Sequence, residues 1–334
     1  MRLVQPATAP LALLLALAAN PARADVTLTG PDSNDATYST TALSTAATVS
    51  DTVTSGGLTG ISLWGLLGGA NAASSTSPTY GAIATSTPAG DNAKNAILRY
   101  YLLATGAGGT ASVISLGEID PNFGGTAATP AFLAYQSTSS GLLPAPNLIV
   151  PGAPNRDVAN VTSLQLLAVP ALPTGPGGQS TSVQLSGTVN NPGAYTLPNL
   201  QSDFTPVTES IAGDNYTGVP LFTFLNPTDS NSADQLVITA GTDGYEVVLS
   251  LAELDPAFGG NPQDLLPYAD TVSDFPNDGV ARTILPNDNK HGRWESNLAT
   301  VEVLDLPEPG TLPILAAALA SLATLRRRRA SRPG

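Results

Sequence analysis

The chain has 334 residues, a formal net charge of −13 and no cysteine. This length allows a large apolar core without disulfides, and the missing cysteine excludes a thiolate nucleophile or a thiolate metal ligand. Acidic residues outnumber basic ones by two to one, and seven of the thirteen basic residues lie close to the chain ends. Because nucleic acids and anionic lipid surfaces are bound by clustered Lys and Arg, we expect neither partner for the body of the protein. Acidity suits solubility outside the cell and leaves room for divalent cations.

The first residues have the pattern of a secretory signal. A basic start at Met1-Arg2 precedes an apolar run from Leu11 to Ala19, and small residues stand at Ala22 and Ala24 before the chain turns polar. This pattern predicts a signal peptide over residues 1–24 that is cleaved after Ala24. The alternative is a buried N-terminal helix, which Pro21 disfavours by interrupting the run.

The C-terminal residues combine three features in a fixed order. Pro307-Glu308-Pro309 precedes an apolar segment, residues 312–325, and four arginines follow it, at Arg326, Arg327, Arg328 and Arg329. As a helix the segment covers about 21 to 24 Å, so it spans a core of about 30 Å only with help from its flanks. The arginines predict a cytoplasmic end.

Residues 307–334 resemble the PEP-CTERM sorting signal. That resemblance implies removal of the tail by an exosortase-type protease, and delivery to the cell envelope, the cell surface or an exopolysaccharide matrix. Membrane contact is then limited to the C-terminal helix before cleavage. An ordinary single-pass anchor is the alternative.

The body of the chain contains an internal repeat, because five sequence blocks recur in the same order. The strongest pair is Ser115-Leu-Gly-Glu-Ile-Asp-Pro-Asn-Phe-Gly-Gly125 and Ser250-Leu-Ala-Glu-Leu-Asp-Pro-Ala-Phe-Gly-Gly260. The repeat predicts two tandem domains at residues 25–169 and 181–306, joined by a Pro/Gly-rich linker at 170–180. A Ser/Thr/Ala-rich insertion, roughly residues 70–91, lengthens the first copy.

Local signals predict a mainly β fold of the α+β class with short helices. Leu236–Ala240 and Tyr245–Leu249 flank a Gly-containing turn and predict a hairpin, as do Ile97–Ala104 and Thr110–Ile114 around Gly106-Ala-Gly-Gly109. The pairs Ser115/Glu118 and Ser250/Glu253 fit the capping box at a helix start. The Asp-Pro that follows in each copy ends the predicted helix.

The order of these blocks resembles the molybdopterin-binding domain of sulfite-oxidase-like oxidoreductases. The second copy matches better, in Tyr216-Thr-Gly-Val-Pro-Leu221 and Leu285-Pro-Asn-Asp-Asn-Lys-His-Gly-Arg-Trp294. In that family a cysteine before the Thr-Gly-Val-Pro segment binds molybdenum, and basic residues hold the cofactor's phosphate. The stretches 44–58 and 203–216 contain no cysteine, lysine or arginine. The resemblance therefore implies a fold that has lost its cofactor, and we predict none.

No residue set in the sequence converges on a catalytic or metal site. His291, the only histidine, is interpreted as an exposed loop residue, and no Gly-x-Ser-x-Gly accompanies the many serines. The Asp120 and Asp255 turns could supply calcium ligands, but turn and helix-stop chemistry explains them equally well. The glycines at 106–109 fit a hairpin turn better than a phosphate cradle.

Three aromatic residues are candidates for stacking on sugars. Trp64 and Phe222 hold equivalent repeat positions, which favours core packing, whereas Trp294 is the better candidate for exposure.

The functional hypothesis is an exported structural or binding protein of the cell surface or matrix, with no catalysis and with exopolysaccharide as a candidate partner. The alternative is an exported molybdopterin-type oxidoreductase that retains a cofactor at Arg282, Lys290, His291 and Arg293. A third possibility, a calcium-dependent adhesin, predicts a melting temperature that rises with calcium.

Overall fold

The computed structural model describes residues 24–30, 36–47, 52–67, 95–125, 130–169, 172, 177–271 and 278–306. They form a mainly β structure with short helices, as the local signals predict. Residues 1–23, the insertion at 70–91 and the sorting segment 307–334 lie outside the described residues. Among the residues that are described, no helix is long and apolar enough to cross a membrane.

The strands fall into two groups along the chain. The first group is β1 Val26–Thr29, β2 Ala36–Tyr38, β3 Thr52–Ser55, β4 Leu58–Ser62, β5 Tyr100–Gly106, β6 Ala111–Ser115, β7 Phe132–Ser137, β8 Gly141–Ile149 and β9 Val161–Ala168. The second group is β10 Val183–Gly187, β11 Gly193–Tyr195, β12 Val207–Ile211, β13 Asp214–Pro220, β14 Gln235–Gly241, β15 Glu246–Ser250, β16 Leu265–Asp270 and β17 Leu298–Asp305.

Each group forms one five-stranded sheet and one smaller sheet. The large sheets have the orders β2-β1-β9-β5-β6 and β11-β10-β17-β14-β15, and the small ones β3-β4-β7-β8 and β12-β13-β16. In each large sheet the strand that comes first in the chain runs parallel to the one that comes last, β1 with β9 and β10 with β17. The other pairings are antiparallel. The two halves of the described structure therefore share their strand order and their strand directions.

The helices are short because turn residues bound them closely. They are α1 Thr40–Ala46, α2 Leu63–Leu66, α3 Leu116–Ile119, α4 Leu197–Ser202, α5 Leu221–Leu225 and α6 Leu251–Leu254. Both predicted capping boxes are confirmed: Ser115 and Glu118 cap α3, and Ser250 and Glu253 cap α6. As predicted, α3 and α6 end immediately before the Asp-Pro pairs.

Both predicted hairpins are present, as β5–β6 and β14–β15. The first strand starts later than predicted, because Ala96–Arg99 forms a 3-10 helix and β5 begins at Tyr100. Asn95 precedes this helix in the left-handed conformation, at a φ of 59°, which turns the chain before the strand can begin.

The repeated Thr-Gly motif has a structural reason in the two small sheets. The strand register shifts between Thr59 and Gly60 in β4 and between Thr217 and Gly218 in β13. A Cβ atom on either glycine would lie 2.3 Å from a carbonyl oxygen of the neighbouring strand. Only glycine fits this close approach of two backbones.

The two halves pack against each other. One apolar core contains residues of both halves. A second, smaller cluster joins the β5–β6 hairpin, through Tyr101 and Val113, to the β14–β15 hairpin, through Ile238 and Val248. The adjoining ends of strands β6 and β15 bring α3 and α6 together, and the candidate site lies at this junction.

Candidate functional site

The junction between α3 and α6 is built from two reciprocal hydrogen bonds. The Ser115 hydroxyl donates to Oε1 of Glu253, at 2.8 Å, and the Ser250 hydroxyl donates to Oε1 of Glu118, at 3.0 Å. Each glutamate also accepts from the backbone amide of its own N-cap serine, at 2.8 and 2.9 Å. Each capping box thus serves its own helix and binds the other half.

A buried arginine neutralises each glutamate. Nη2 of Arg156 lies 2.7 Å from Glu118, and Nη1 of Arg293 lies 2.5 Å from Glu253. Arg293 also forms a two-point pair with Asp288 through Nε and Nη2. Burial opposes the charge on both guanidinium groups, but the adjacent carboxylates outweigh it and raise both arginine pKa values. These are charge-assisted contacts inside the protein, where an unpaired charge is strongly unfavourable.

Glycines of the first half make room for Arg293 of the second. A Cβ atom on Gly117 would lie 2.6 Å from Cδ of Arg293, and one on Gly124 would lie 2.4 Å from its Nη2. A Cβ on Gly292 would lie 2.2 Å from the ring of Phe123. The two halves therefore meet in close steric contact around the arginine.

Beside these contacts lies a cavity of about 290 Å³ that is partly open to solvent. Its lining combines residues of both halves. Its charged lining residues are Glu118, Glu253, Asp264, Asp288, Arg156 and Arg293. Four carboxyl groups face two guanidinium groups, so the cavity carries a negative excess when all are ionised.

Burial shifts three acids of this cavity toward their neutral forms. It raises the pKa of Asp264 well above its usual value, and the nearby charge of Glu253 adds to the effect. It also raises the pKa of Glu118 and Asp288, against the opposing influence of Arg156 and Arg293 respectively. Asp264 therefore contributes less negative charge to the cavity than a surface aspartate would.

The four residues of the oxidoreductase alternative do not converge on one point. Arg282 pairs with Asp278 at 2.7 Å, and the Lys290 ammonium donates to Oδ1 of Asn122. His291 is exposed, as predicted, and its ring stacks on that of Trp294 with centroids 3.7 Å apart. Only Arg293 lines the cavity.

The prediction that Trp294 is exposed is wrong. Its exposed fraction is 8%, and its indole Nε1 donates to the Leu285 carbonyl oxygen. His291 stacks on one ring face, Tyr216 approaches edge-on, and Arg282 lies 5.9 Å from the ring.

Core packing of the other two candidate aromatics is confirmed. Trp64 is buried in the main core, and Phe222 is half-buried and packs against the same core. In α5 the fully buried aromatic is Phe224.

The Asp-Pro turns behave as turn and helix-stop elements. Oδ1 of Asp120 accepts from the Asn122 amide and Oδ1 of Asp255 accepts from the Ala257 amide, both at 2.8 Å. In the part of the chain that is described, no group of three or more His, Asp or Glu residues could hold a metal ion. Residues 106–109 form the turn of the β5–β6 hairpin, where the Gly109 amide donates to the Gly106 carbonyl oxygen.

Sequence reasoning identified the two serines and glutamates as helix caps but missed their contact across the junction. It also missed Arg156 and Asp264. One signal was available: Arg156 follows Ser115 by 41 positions, and Arg293 follows Ser250 by 43. Paired glutamates and arginines at matching repeat positions indicate a shared ion-pair arrangement.

No protein-family model matches the chain, and no curated protein matches it.

Proposed function

We propose that the protein is an exported structural or binding protein of the cell surface or exopolysaccharide matrix, with no catalytic role. Two sequence segments support the export route: the signal pattern over residues 1–24 and the sorting pattern over residues 307–334. The proposed processing partner is an exosortase-type protease, and the membrane contact is transient.

The ion pairs of the arginines support the proposal that the two domains bind no anionic cofactor. Every arginine in the described part of the chain lies in an ion pair with a carboxylate. The pairs are Arg99–Glu246, Arg156–Glu118, Arg282–Asp278, and Arg293 with Glu253 and Asp288. These carboxylates already pair with the arginines that would otherwise bind a phosphate. An anionic cofactor would therefore have to displace them.

We also propose that the body arose as two copies of one β-rich domain, residues 25–169 and 181–306, joined by the segment 170–180. The five recurring sequence blocks support this, as do the matching strand orders of the two large sheets. The reciprocal Ser115–Glu253 and Ser250–Glu118 bonds have the form expected of a two-fold contact between equivalent units.

The test is native mass spectrometry with elemental analysis on protein purified from its own cell envelope. We expect a mass that lacks residues 1–24 and the C-terminal tail, without molybdenum or pterin. The variant Glu308→Ala should keep the tail and accumulate in the membrane fraction, whereas Asp203→Ala, which changes an exposed acid of the body, should be processed normally. A wild-type protein that keeps its tail would contradict the sorting proposal. Stoichiometric molybdenum or pterin would favour the oxidoreductase instead.

A further inference from the structure

The two arginines of the junction differ in how fully their donors are used. Arg293 donates from Nε, Nη1 and Nη2, to Asp288 and Glu253. All three hydrogen bonds from the side chain of Arg156 come from Nη2, and its Nε and Nη1 atoms make none; Nε has almost no accessible surface, so Nη1 is the free donor that can face the cavity. Arg156 is nevertheless only 4% exposed and lines the cavity. Buried donors are normally satisfied, so this one indicates a missing acceptor.

The repeat shows which acceptor is missing. Aligning Ile149-Val-Pro151 with Ile284-Leu-Pro286 places Ala153 at the position of Asp288, and the second copy then has two more residues before its arginine than the first. Asp288 supplies the two-point carboxylate partner of Arg293, and alanine cannot do so for Arg156. A side-chain acceptor is absent on one side of the junction, and both Ala153 and Arg156 line the cavity there.

The charges and walls of the cavity restrict what could supply the acceptor. Four carboxyl groups against two guanidinium groups disfavour an anion, and a positively charged group cannot accept a hydrogen bond from Arg156. A hydroxyl group both accepts and donates, so it can serve the arginine and a carboxylate together. All three hydrogen bonds that Glu118 accepts end on Oε1, so its Oε2 atom is an acceptor without a donor among the described residues.

The size of the cavity and its apolar wall fit a small ring. A volume of about 290 Å³ lies at the lower end of ligand pockets. Pro130, Pro151 and Leu285 supply apolar surface, and none of the described lining residues is aromatic. Recognition would therefore rest on hydrogen bonds rather than on ring stacking.

We infer that this cavity binds a neutral polyhydroxylated ligand of about one sugar ring, with a ligand hydroxyl accepting from Arg156 and donating to Glu118. The inference deepens the proposed function and rests on it in one respect, namely that a neutral glycan is the partner at the cell surface. Without the ligand, Nη1 of Arg156 has no acceptor, as in the protein alone.

The test is isothermal titration calorimetry on the mature protein, which lacks residues 1–24 and the C-terminal tail. The ligands are D-glucose and two charged probes of the same size, D-glucuronate and D-glucosamine. We expect saturable glucose binding in the millimolar range and weaker binding of both charged probes. Ala153→Asp, which introduces the carboxylate that the second half has, should weaken glucose binding by roughly tenfold or more. Arg156→Lys keeps the positive charge beside Glu118 but removes the free Nη1 donor, and should weaken binding similarly. Arg282→Lys, outside the cavity, is the matched control and should leave it unchanged.

Three results would overturn the inference: no saturable glucose binding to folded wild-type protein, tighter binding of a charged probe, or binding that neither Ala153→Asp nor Arg156→Lys reduces. Near-ultraviolet circular dichroism establishes that each variant is folded, and either variant alone suffices for the comparison. The outcome is separable from that of the proposed function, because tail removal is read from the mass of the envelope protein. A correctly processed protein that binds no sugar contradicts this inference alone.

Discussion

Replacing Arg293 by methionine should destabilise the fold strongly, because two buried carboxylates lose their counter-ion together. The exposed fraction of the Asp288 side chain is 0%, and that of Glu253 is 10%. Asp288 loses both bonds of its two-point pair, whereas Glu253 keeps the donors from Ser115 and from the backbone of Ser250. The variant therefore leaves one carboxylate largely unsatisfied and a second one partly satisfied.

The expected loss follows from the burial of these groups. Removing one partner of a buried ion pair costs about 3 to 5 kcal/mol, and the full burial of Asp288 places this case within that range. Methionine retains much of the apolar volume, so cavity formation adds little. We therefore expect the free energy of unfolding at pH 7 to fall by about 4 kcal/mol. The loss should shrink as the pH falls toward 4, because burial raises the pKa of Asp288 and its protonation removes the uncompensated charge.

The measurement is urea unfolding followed by far-ultraviolet circular dichroism, at pH 7 and again near pH 4. Arg282→Met is the matched control, because its ion pair with Asp278 is more exposed, at 17% and 14% of the two side chains. The free energy of unfolding of this control should fall by only about 1 kcal/mol, even though Arg282→Met also removes the contact with the Trp294 ring. Equal losses for the two variants, or a loss for Arg293→Met that does not depend on pH, would refute the argument from buried charge.

Three further predictions concern the junction, the motif glycines and the buried acid. Ser115→Ala and Ser250→Ala should each lower the free energy of unfolding by about 1 to 3 kcal/mol in urea, since each removes a helix cap and a bond across the junction. Ser250→Ala should have the larger effect, because Arg156 also donates to the Ser250 hydroxyl; no loss in either variant would contradict the reciprocal arrangement. In thermal unfolding, Gly218→Ala should lower the free energy of unfolding several times more than Gly193→Ala, because only the Cβ atom at position 218 would overlap a neighbouring strand. The change for Gly193→Ala should stay within about 0.5 kcal/mol. Asp264 has a folded-state pKa well above 3.8, so above about pH 4 the folded state binds more protons than the unfolded state. Its contribution to the free energy of unfolding therefore falls as the pH rises from about 4 through that raised pKa, by at most about 1.4 kcal/mol per pH unit. Asp264→Asn should reduce this pH dependence in urea titrations at a series of pH values. An unchanged pH dependence would exclude Asp264 as its source.

Local features of this fold could be predicted from the sequence because their causes are local. The caps at Ser115 and Ser250 depend on residues three positions apart, and the hairpins depend on Gly-containing turns between β-rich runs. The error at Ile97–Arg99 is of the same kind, because Asn95 turns the chain into a 3-10 helix before β5. Its left-handed conformation is a property that asparagine allows but does not require.

The site could not be predicted in the same way, because its contacts join residues far apart in the chain. Ser115 and Glu253 are bonded across 138 positions, and nothing in either capping box shows that its serine also serves a second glutamate. The burial of Trp294 could not be predicted in this way, because the residue lies outside the repeated blocks. It is buried because His291, Tyr216 and Arg282 surround the ring, which only the assembled second half brings together.

Because both halves belong to one chain, the two sides of the junction can differ in sequence, which the two sides of a symmetric homodimer cannot. In a symmetric homodimer each substitution occurs on both sides of the interface, so a carboxylate gained or lost at one arginine is gained or lost at the other. Under the proposed duplication the two sides could change separately, and they differ here at Asp288 and Ala153. Arg293 is paired with two carboxylates of its own half and packs against Gly117 and Gly124 of the other, whereas Arg156 keeps an unpaired donor beside the cavity. One side of the junction is therefore suited to stability, and the other has the free hydrogen-bonding capacity that a ligand requires.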